Sequence, residues 1–334
     1  MKQMLNVLSR RVSNSTSDNL FDTLLESTKT INPQQQCPLF SRLPRELRDE
    51  VFAYALLNTC HDPFHRGFPQ SERASKKHDI ALPLLLTCRA VYSETRYLPI
   101  SLNAISVGNN ASKKGDIAPS FPKRPHQLPE RLGNLLHNHA QAIDYTLMQT
   151  FLEVGYHFQS FTNFLTGPEP VKYLTLRLER MDWWTWETAP GDVARDGGLA
   201  LDQSVGAGSV ENRPTAGVMR ELAQRRRERG RLDGVAIARD EDGAAAGWGV
   251  ALSRDFPGLK ELEMVFESFR AKKAQLEEVV RCAETWEFGM GEEFVLRCVG
   301  VERGSWEGGE VERKVEWQRG PFEVTVVRWR RVRA

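Results

Sequence analysis

The sequence has few cysteines, and no two of them are spaced for a metal site. Its 334 residues include five cysteines, and none of them form a Cys-x-x-Cys pair. An odd number of scattered thiols excludes a disulfide framework and a zinc ribbon, and it fits a reducing compartment. The cysteines are Cys37, Cys60, Cys88, Cys282 and Cys298.

Long apolar runs and an excess of charge are also absent. The longest apolar stretch, Ala81 to Leu86, is interrupted by Pro83 and is far shorter than the roughly 18 residues of a membrane helix. Lysine and arginine number 45 against 44 acidic residues, a net charge of +1, so the whole molecule has no field that attracts nucleic acid. We expect no membrane segment, a cytoplasmic or nuclear location, and only local binding of any nucleic acid.

The motifs of common enzymes are missing as well. The chain has no glycine-rich phosphate loop, no Gly-x-Gly-x-x-Gly after a strand, no His-Glu-x-x-His and no Gly-x-Ser-x-Gly. With 40% hydrophobic and 27% charged residues, the composition is that of a globular protein of about two domains. These features predict a non-catalytic protein with no cofactor and no metal.

Two groups of residues contain potential metal ligands. The first group is Cys60, His61, His65 and His78, and the second is His137 and His139. Imidazole and thiolate are the usual ligands of zinc, but the spacing of the first group matches no zinc motif that we know. The two histidines of the second group would face in different directions, because neighbouring residues of a helix do so. We interpret both groups as incidental, with a zinc site as the alternative for the first.

An amphipathic helix is predicted after Pro44. Leu43, Leu47 and Val51 recur every four residues, and Phe52 follows beside them. Proline suits the first helical position, where its missing N–H has no partner to lose. We expect the helix to begin at about Pro44.

Two later segments resemble each other and predict paired strands. Residues 171–178 and 259–266 both follow a proline and share the spacing of the strand in a leucine-rich repeat. The two segments are much farther apart in the sequence than the roughly 20 to 29 residues of a regular repeat. We therefore expect them to form two strands of one irregular sheet. Because side chains alternate along a strand, the apolar ones of both segments point into one core. They are Leu174, Leu176, Leu178, Leu262, Met264 and Phe266.

The predicted fold class is α+β, with an N-terminal helical portion followed by a mixed, irregular sheet, covering helices and a flexible insertion. The expected regions are a disordered tail over 1–36, helices and a first strand over 38–107, and an α+β domain over 128–334 with the flexible insertion at 189–246. Further helices are predicted over 80–97, 132–151, 219–231 and 272–286, and further strands over 100–107, 293–301 and 322–329. The first 17 residues also have the composition of a mitochondrial transit peptide, and a frayed tail is the preferred interpretation.

Aromatic and basic clusters offer binding surfaces of another kind. Trp183, Trp184 and Trp186 have the chemistry to stack on a sugar or a base, but their position directly after a strand favours packing. The arginine-rich segments 220–231 and 328–333 have the charge to bind nucleic acid. A solvated helix and a protected edge strand are the simpler interpretations of these two segments.

Residues 43–52 and 85–94 together resemble the F-box. The first segment reads Leu-Pro-x-Glu-Leu-x-x-x-Val-Phe, and the second reads Leu-Leu-x-Cys-Arg-x-Val-Tyr-x-Glu. More closely, Leu-Pro-Arg-Glu-Leu-Arg-Asp and Leu-Thr-Cys-Arg-x-Val-Tyr-Ser-Glu are similar to fungal F-box-like proteins of uncharacterised function. The linker between the segments is longer than in a typical F-box.

The resemblance implies a protein-interaction module, in which such helices dock on the small adaptor of a cullin-RING ubiquitin ligase and the C-terminal domain holds a substrate. The implied partner-binding residues are Leu43, Pro44, Leu47, Val51 and Phe52. Packing of all five within one domain is the competing interpretation. The alternative function is a nuclear or nucleic-acid-associated protein that acts through the two arginine-rich segments.

Overall fold

The computed structural model describes ten parts of the chain: residues 32, 34–57, 80–108, 140–154, 171–191, 198–204, 214–232, 247–306, 318 and 321–334. The chain divides into two compact units. Unit 1 combines Met1–Leu56 with Ala81–Arg96, and unit 2 combines Leu57–Ile80 with Tyr97–Ala334.

Unit 1 is helical in its described residues. Helices α1 (Pro38–Arg42) and α2 (Arg45–Leu56) come first, followed by a 3-10 turn at Leu82–Leu86 and helix α3 (Arg89–Thr95). Helix α2 begins directly after Pro44. The predicted helix over 80–97 is instead two short elements, because the backbone of Cys88 between them is extended. The Sγ atom of Cys88 caps α3 by accepting a hydrogen bond from the Val91 amide at 3.5 Å.

Unit 2 contains a seven-stranded mixed sheet in the order β1-β2-β3-β4-β7-β6-β5. Strands β1 to β4 pair in parallel, and β4, β7, β6 and β5 pair antiparallel. The strands are β1 Ile105–Gly108, β2 Ala142–Thr146, β3 Tyr173–Leu178, β4 Glu261–Phe269, β5 Glu287–Gly289, β6 Phe294–Trp306 and β7 Phe322–Arg333. Together with the helices, this sheet makes the chain an α+β protein.

The pairing of β3 with β4 confirms the two predicted strands. Leu174 lies opposite Leu262, Leu176 opposite Met264, and Leu178 opposite Phe266. All six side chains are buried in the main core, as the alternation predicted.

Among the described residues of unit 2, five helices accompany the sheet, and four of them contribute buried side chains to this core. They are α4 Leu98–Leu102, α5 Gln149–Val154, α6 Ala216–Leu232, α7 Trp248–Asp255 and α8 Lys273–Ala283, of which α4 is the exception. Tryptophans fill the centre: the rings of Trp286 and Trp329 stack with centroids 5.9 Å apart, and Trp248 meets Trp286 edge-on at 5.4 Å.

Two further predicted elements are wrong in type or extent. Residues 142–146 form β2, where a helix over 132–151 was predicted, because Ile143 pairs between strands β1 and β3 and is buried in the core. The predicted strand over 100–107 is shortened by α4, and its remainder, β1, belongs to the sheet of unit 2 instead of grouping with the N-terminal helices.

Parts of the segment 189–246 also pack in the main core. Leu199 and Leu201 are buried there, and so are Met219 and Ala223 of α6. The glycine- and charge-rich composition of the segment did not predict this packing. Residues 192–197, 205–213 and 233–246 of this segment lie outside the described ones, as do residues 1–31 and 33 of the predicted tail over 1–36.

Candidate functional site

Helix α2 carries a row of exposed apolar side chains. Leu47 is 46% exposed, Val51 is 49% exposed and Tyr54 is 80% exposed, and Pro44 is exposed one turn before them. At 3.6 residues per turn, these four positions fall within about 80° of one another around the helix axis. We call this row the α2 stripe: Pro44, Leu47, Val51 and Tyr54.

The predicted partner-binding residues are thus divided between surface and core. Pro44, Leu47 and Val51 lie in the α2 stripe, and Leu43 is half-buried before the helix. Phe52 faces another side of α2 and is only 1% exposed, so it is a core residue of unit 1. Sequence reasoning missed Tyr54, although its spacing of three residues from Val51 places it on the same face.

An ion pair holds α2 against α3. Arg48 donates from Nε to Oε2 of Glu94 at 3.1 Å and from Nη2 to Oε1 at 2.8 Å. The same guanidinium donates from Nη1 to the Leu43 carbonyl at 2.8 Å and lies over the Phe40 ring at 5.1 Å. The hydrogen bonds to Glu94 raise the pKa of Arg48. These contacts fix both the start of α2 and its position on α3. The α2 stripe therefore lies on a helix that side-chain contacts hold in place.

Charged side chains accompany the stripe on α2. Arg45, Glu46, Asp49 and Glu50 are exposed, and Arg45 approaches Asp49 at 3.9 Å. An apolar centre with a polar rim is the common anatomy of a protein interface. Unit 1 exposes further apolar surface at Leu82 and Leu86, which are 39% and 72% exposed.

Several arginines of the two arginine-rich segments are engaged within the fold. Arg226 donates to both carboxylate oxygens of buried Asp202 at 2.7 Å. In β7, Arg328 donates to Glu263 and to Glu302, each at 2.9 Å, and Arg330 donates to Glu261. Arg226, Arg328 and Arg330 are thus each paired with a carboxylate of unit 2.

The tryptophan cluster mainly serves the core, as favoured from the sequence. Trp183 is buried and donates from its indole nitrogen to the Glu267 carbonyl at 2.7 Å. Trp186 packs partly buried against the core, whereas Trp184 is 52% exposed.

The potential metal ligands at 60–78 and at 137–139 lie outside the described residues. Among the residues that are described, no three or more His, Cys, Asp or Glu side chains are grouped so as to hold a metal ion. In the same parts of the chain, no helix has both the length and the apolar character needed to cross a bilayer.

Comparisons of the chain with protein-family models, with curated proteins and with solved structures found no match. The resemblance to the F-box therefore depends on residues 43–52 and 85–94 themselves. The ion pair between Arg48 and Glu94 connects these two segments in space.

Proposed function

We propose that the chain is a non-catalytic protein-interaction subunit that docks through the α2 stripe on the small adaptor of a cullin-RING ubiquitin ligase, while unit 2 recruits the substrate. The observation that carries this proposal is the exposure of Leu47, Val51 and Tyr54 on a helix that Arg48 fixes in place.

The exposed stripe provides a driving force for docking. Complete burial of a leucine or valine side chain contributes about 1.5–3 kcal/mol relative to full exposure. Leu47 and Val51 are each about half exposed, so each retains roughly half of that contribution for a partner. A helix with apolar residues three and four positions apart is also the form that a hydrophobic groove accepts.

The arginine-rich alternative is less well supported. Binding to nucleic acid depends on cations that are free to meet phosphates, and Arg226, Arg328 and Arg330 each pair with a carboxylate in unit 2.

Co-purification of the full chain with the adaptor tests the proposal. We expect the wild type to capture the adaptor and the double variant L47D/V51D to lose it, because two charges would then have to enter an apolar groove. The far-ultraviolet circular dichroism of the double variant should stay unchanged, since both side chains are exposed. Added salt should weaken capture only slightly, because apolar contacts are not screened.

Val250→Asp is the matched control, because Val250 is 45% exposed but lies on α7 in unit 2. This variant should retain capture. Failure of the wild type to bind the adaptor, or equal capture by a folded L47D/V51D variant, would overturn the proposal.

A further inference from the structure

The sheet of unit 2 has a polar cleft on the face that points away from the main core. Leu174 and Leu176 face the core, so the alternating residues Tyr173, Thr175 and Arg177 face the other way. One part of that second face is covered by a small apolar cluster. The remaining part holds a cleft of about 350 Å³, which is within the range of small-molecule sites.

Small side chains create the space. Ala142 and Thr175 line the cleft on adjacent strands β2 and β3, between longer side chains. Leu102 and Ala104, which precede β1, also line it. The cleft therefore has both apolar and polar walls.

Arg177 is the most buried charged group of the cleft. Its side chain is 8% exposed, and its Nε donates to Oδ1 of Asp144 at 2.6 Å. Among the described residues, no other acceptor meets its guanidinium, so both terminal nitrogens lack a hydrogen-bond partner there. These terminal nitrogens are not sealed off from solvent, so a ligand that supplies an acceptor can reach them from the cleft.

The cleft also contains acceptors. Glu261 and Glu263 line it, and each uses its Oε2 to accept a hydrogen bond at 2.9 Å, from Arg330 and Arg328 respectively. Within the described parts of the chain, the Oε1 atom of each carboxylate has no donor. With Arg177 and Arg328, the lining thus comprises two guanidinium groups and two carboxylates.

We propose that this cleft binds a small zwitterion of the amino-acid class, with the carboxylate on the terminal nitrogens of Arg177 and the ammonium on Glu261 and Glu263. A simple anion would be repelled by the two carboxylates, and a simple cation would be repelled by the two guanidinium groups. A molecule that carries both charges satisfies donors and acceptors together. This site is separate from the α2 stripe and does not depend on the adaptor proposal.

Titration of the full chain tests the assignment, by calorimetry and by chemical-shift changes. The probes are the individual L-amino acids, with acetate and methylamine as single-charge references. We expect saturable binding of at least one amino acid and no comparable binding of either reference. Failure of every amino acid to bind, or equal binding of acetate or methylamine, would overturn the proposal.

Three variants locate the site. Glu261→Gln should weaken the amino acid by about tenfold or more, because a hydrogen bond to a charged group is lost. Ala142→Leu should abolish binding by filling the cleft, without removing any charge. Glu287→Gln is the control, since Glu287 forms a similar pair with Arg297 at an exposed position outside the cleft, and it should bind like the wild type. Unchanged affinity in both Glu261→Gln and Ala142→Leu would contradict the assignment.

Discussion

Arg48 and Glu94 join the two segments that resemble the F-box, through two hydrogen bonds of 3.1 and 2.8 Å between α2 and α3. Neither residue lies in the α2 stripe, so the pair positions the stripe without forming part of it. The contact links the two segments of the motif, because the arginine of the first segment is held by the glutamate of the second.

Reversing the charge of either Arg48 or Glu94 should loosen α2, and reversing both charges together should restore part of the contact. Arg48→Glu places a second carboxylate against Glu94, and like charges at that distance repel. We expect faster hydrogen exchange of the α2 amides in Arg48→Glu and in Glu94→Arg, and partial recovery in the combined R48E/E94R variant. The exposed pair of Arg45 with Asp49 provides the control, because its reversal should leave the exchange nearly unchanged. Equal effects at the two pairs would show that the Arg48 contact does not hold α2.

Core and surface positions of α2 should respond very differently to truncation. Phe52→Ala should lower the free energy of opening of α2 by about 3–5 kcal/mol, because it removes a buried aromatic side chain. Leu47→Ala should change it by no more than about 0.5 kcal/mol, as is usual for exposed positions. Hydrogen exchange of the α2 amides measures both values. A large loss of stability in Leu47→Ala would mean that the stripe belongs to the core and is not free for a partner.

Regular alternation is the part of the fold that the sequence predicts well. The alternating apolar segments predict that Leu174 and Leu262 lie in one sheet, and they are direct neighbours. The apolar residues around Ile143 also fit a helical spacing and predict a helix, yet pairing with β1 and β3 makes Ile143 a strand residue. Local pattern could not decide this case, since the deciding contacts come from distant segments.

The candidate sites show the same limit. The sequence placed Leu47, Val51 and Phe52 on one helix, but it does not say which of two adjoining apolar faces the rest of unit 1 covers. The cleft was not predicted at all. Arg177 and Arg328 line the same cleft only because the strand order β2-β3-β4-β7 brings their strands to one region of the sheet, and the sequence contains no direct signal of strand order.

The buried pair of Arg226 with Asp202 should be needed for the stability of unit 2. Asp202 is fully buried, and it also accepts hydrogen bonds from the amide and hydroxyl of Ser204 at 3.0 and 2.6 Å. Arg226→Met leaves this carboxylate without its cation, which typically costs about 3–5 kcal/mol. Urea denaturation should show a loss of that size.

Arg225→Met is the matched control, because Arg225 is next along α6 and pairs with exposed Glu221. It should change the free energy of unfolding by less than about 1 kcal/mol. The double variant R226M/D202N should recover part of the loss, since it also removes the buried charge. Equal stability of Arg226→Met and Arg225→Met would show that the buried pair contributes little.

Asp182 should make stability fall as the pH rises. Burial, together with the nearby charge of Glu179, raises the pKa of Asp182 to about 8. Because this value exceeds the ordinary pKa of about 3.9, the folded chain holds the proton more tightly than the unfolded chain does. The contribution of Asp182 to stability is therefore greatest below about pH 4, decreases between about pH 4 and 8, and is constant above that.

Asp182→Asn removes this dependence and keeps an oxygen that can accept from the Glu179 amide, a hydrogen bond of 2.8 Å in the wild type. The stability of Asp182→Asn relative to the wild type should therefore increase by more than about 1 kcal/mol between about pH 5 and pH 9 in urea denaturation. Glu187→Gln, at an exposed position of the same loop, should follow the wild type at both pH values. A constant difference between Asp182→Asn and the wild type would mean that Asp182 ionises as readily in the folded chain as in the unfolded one.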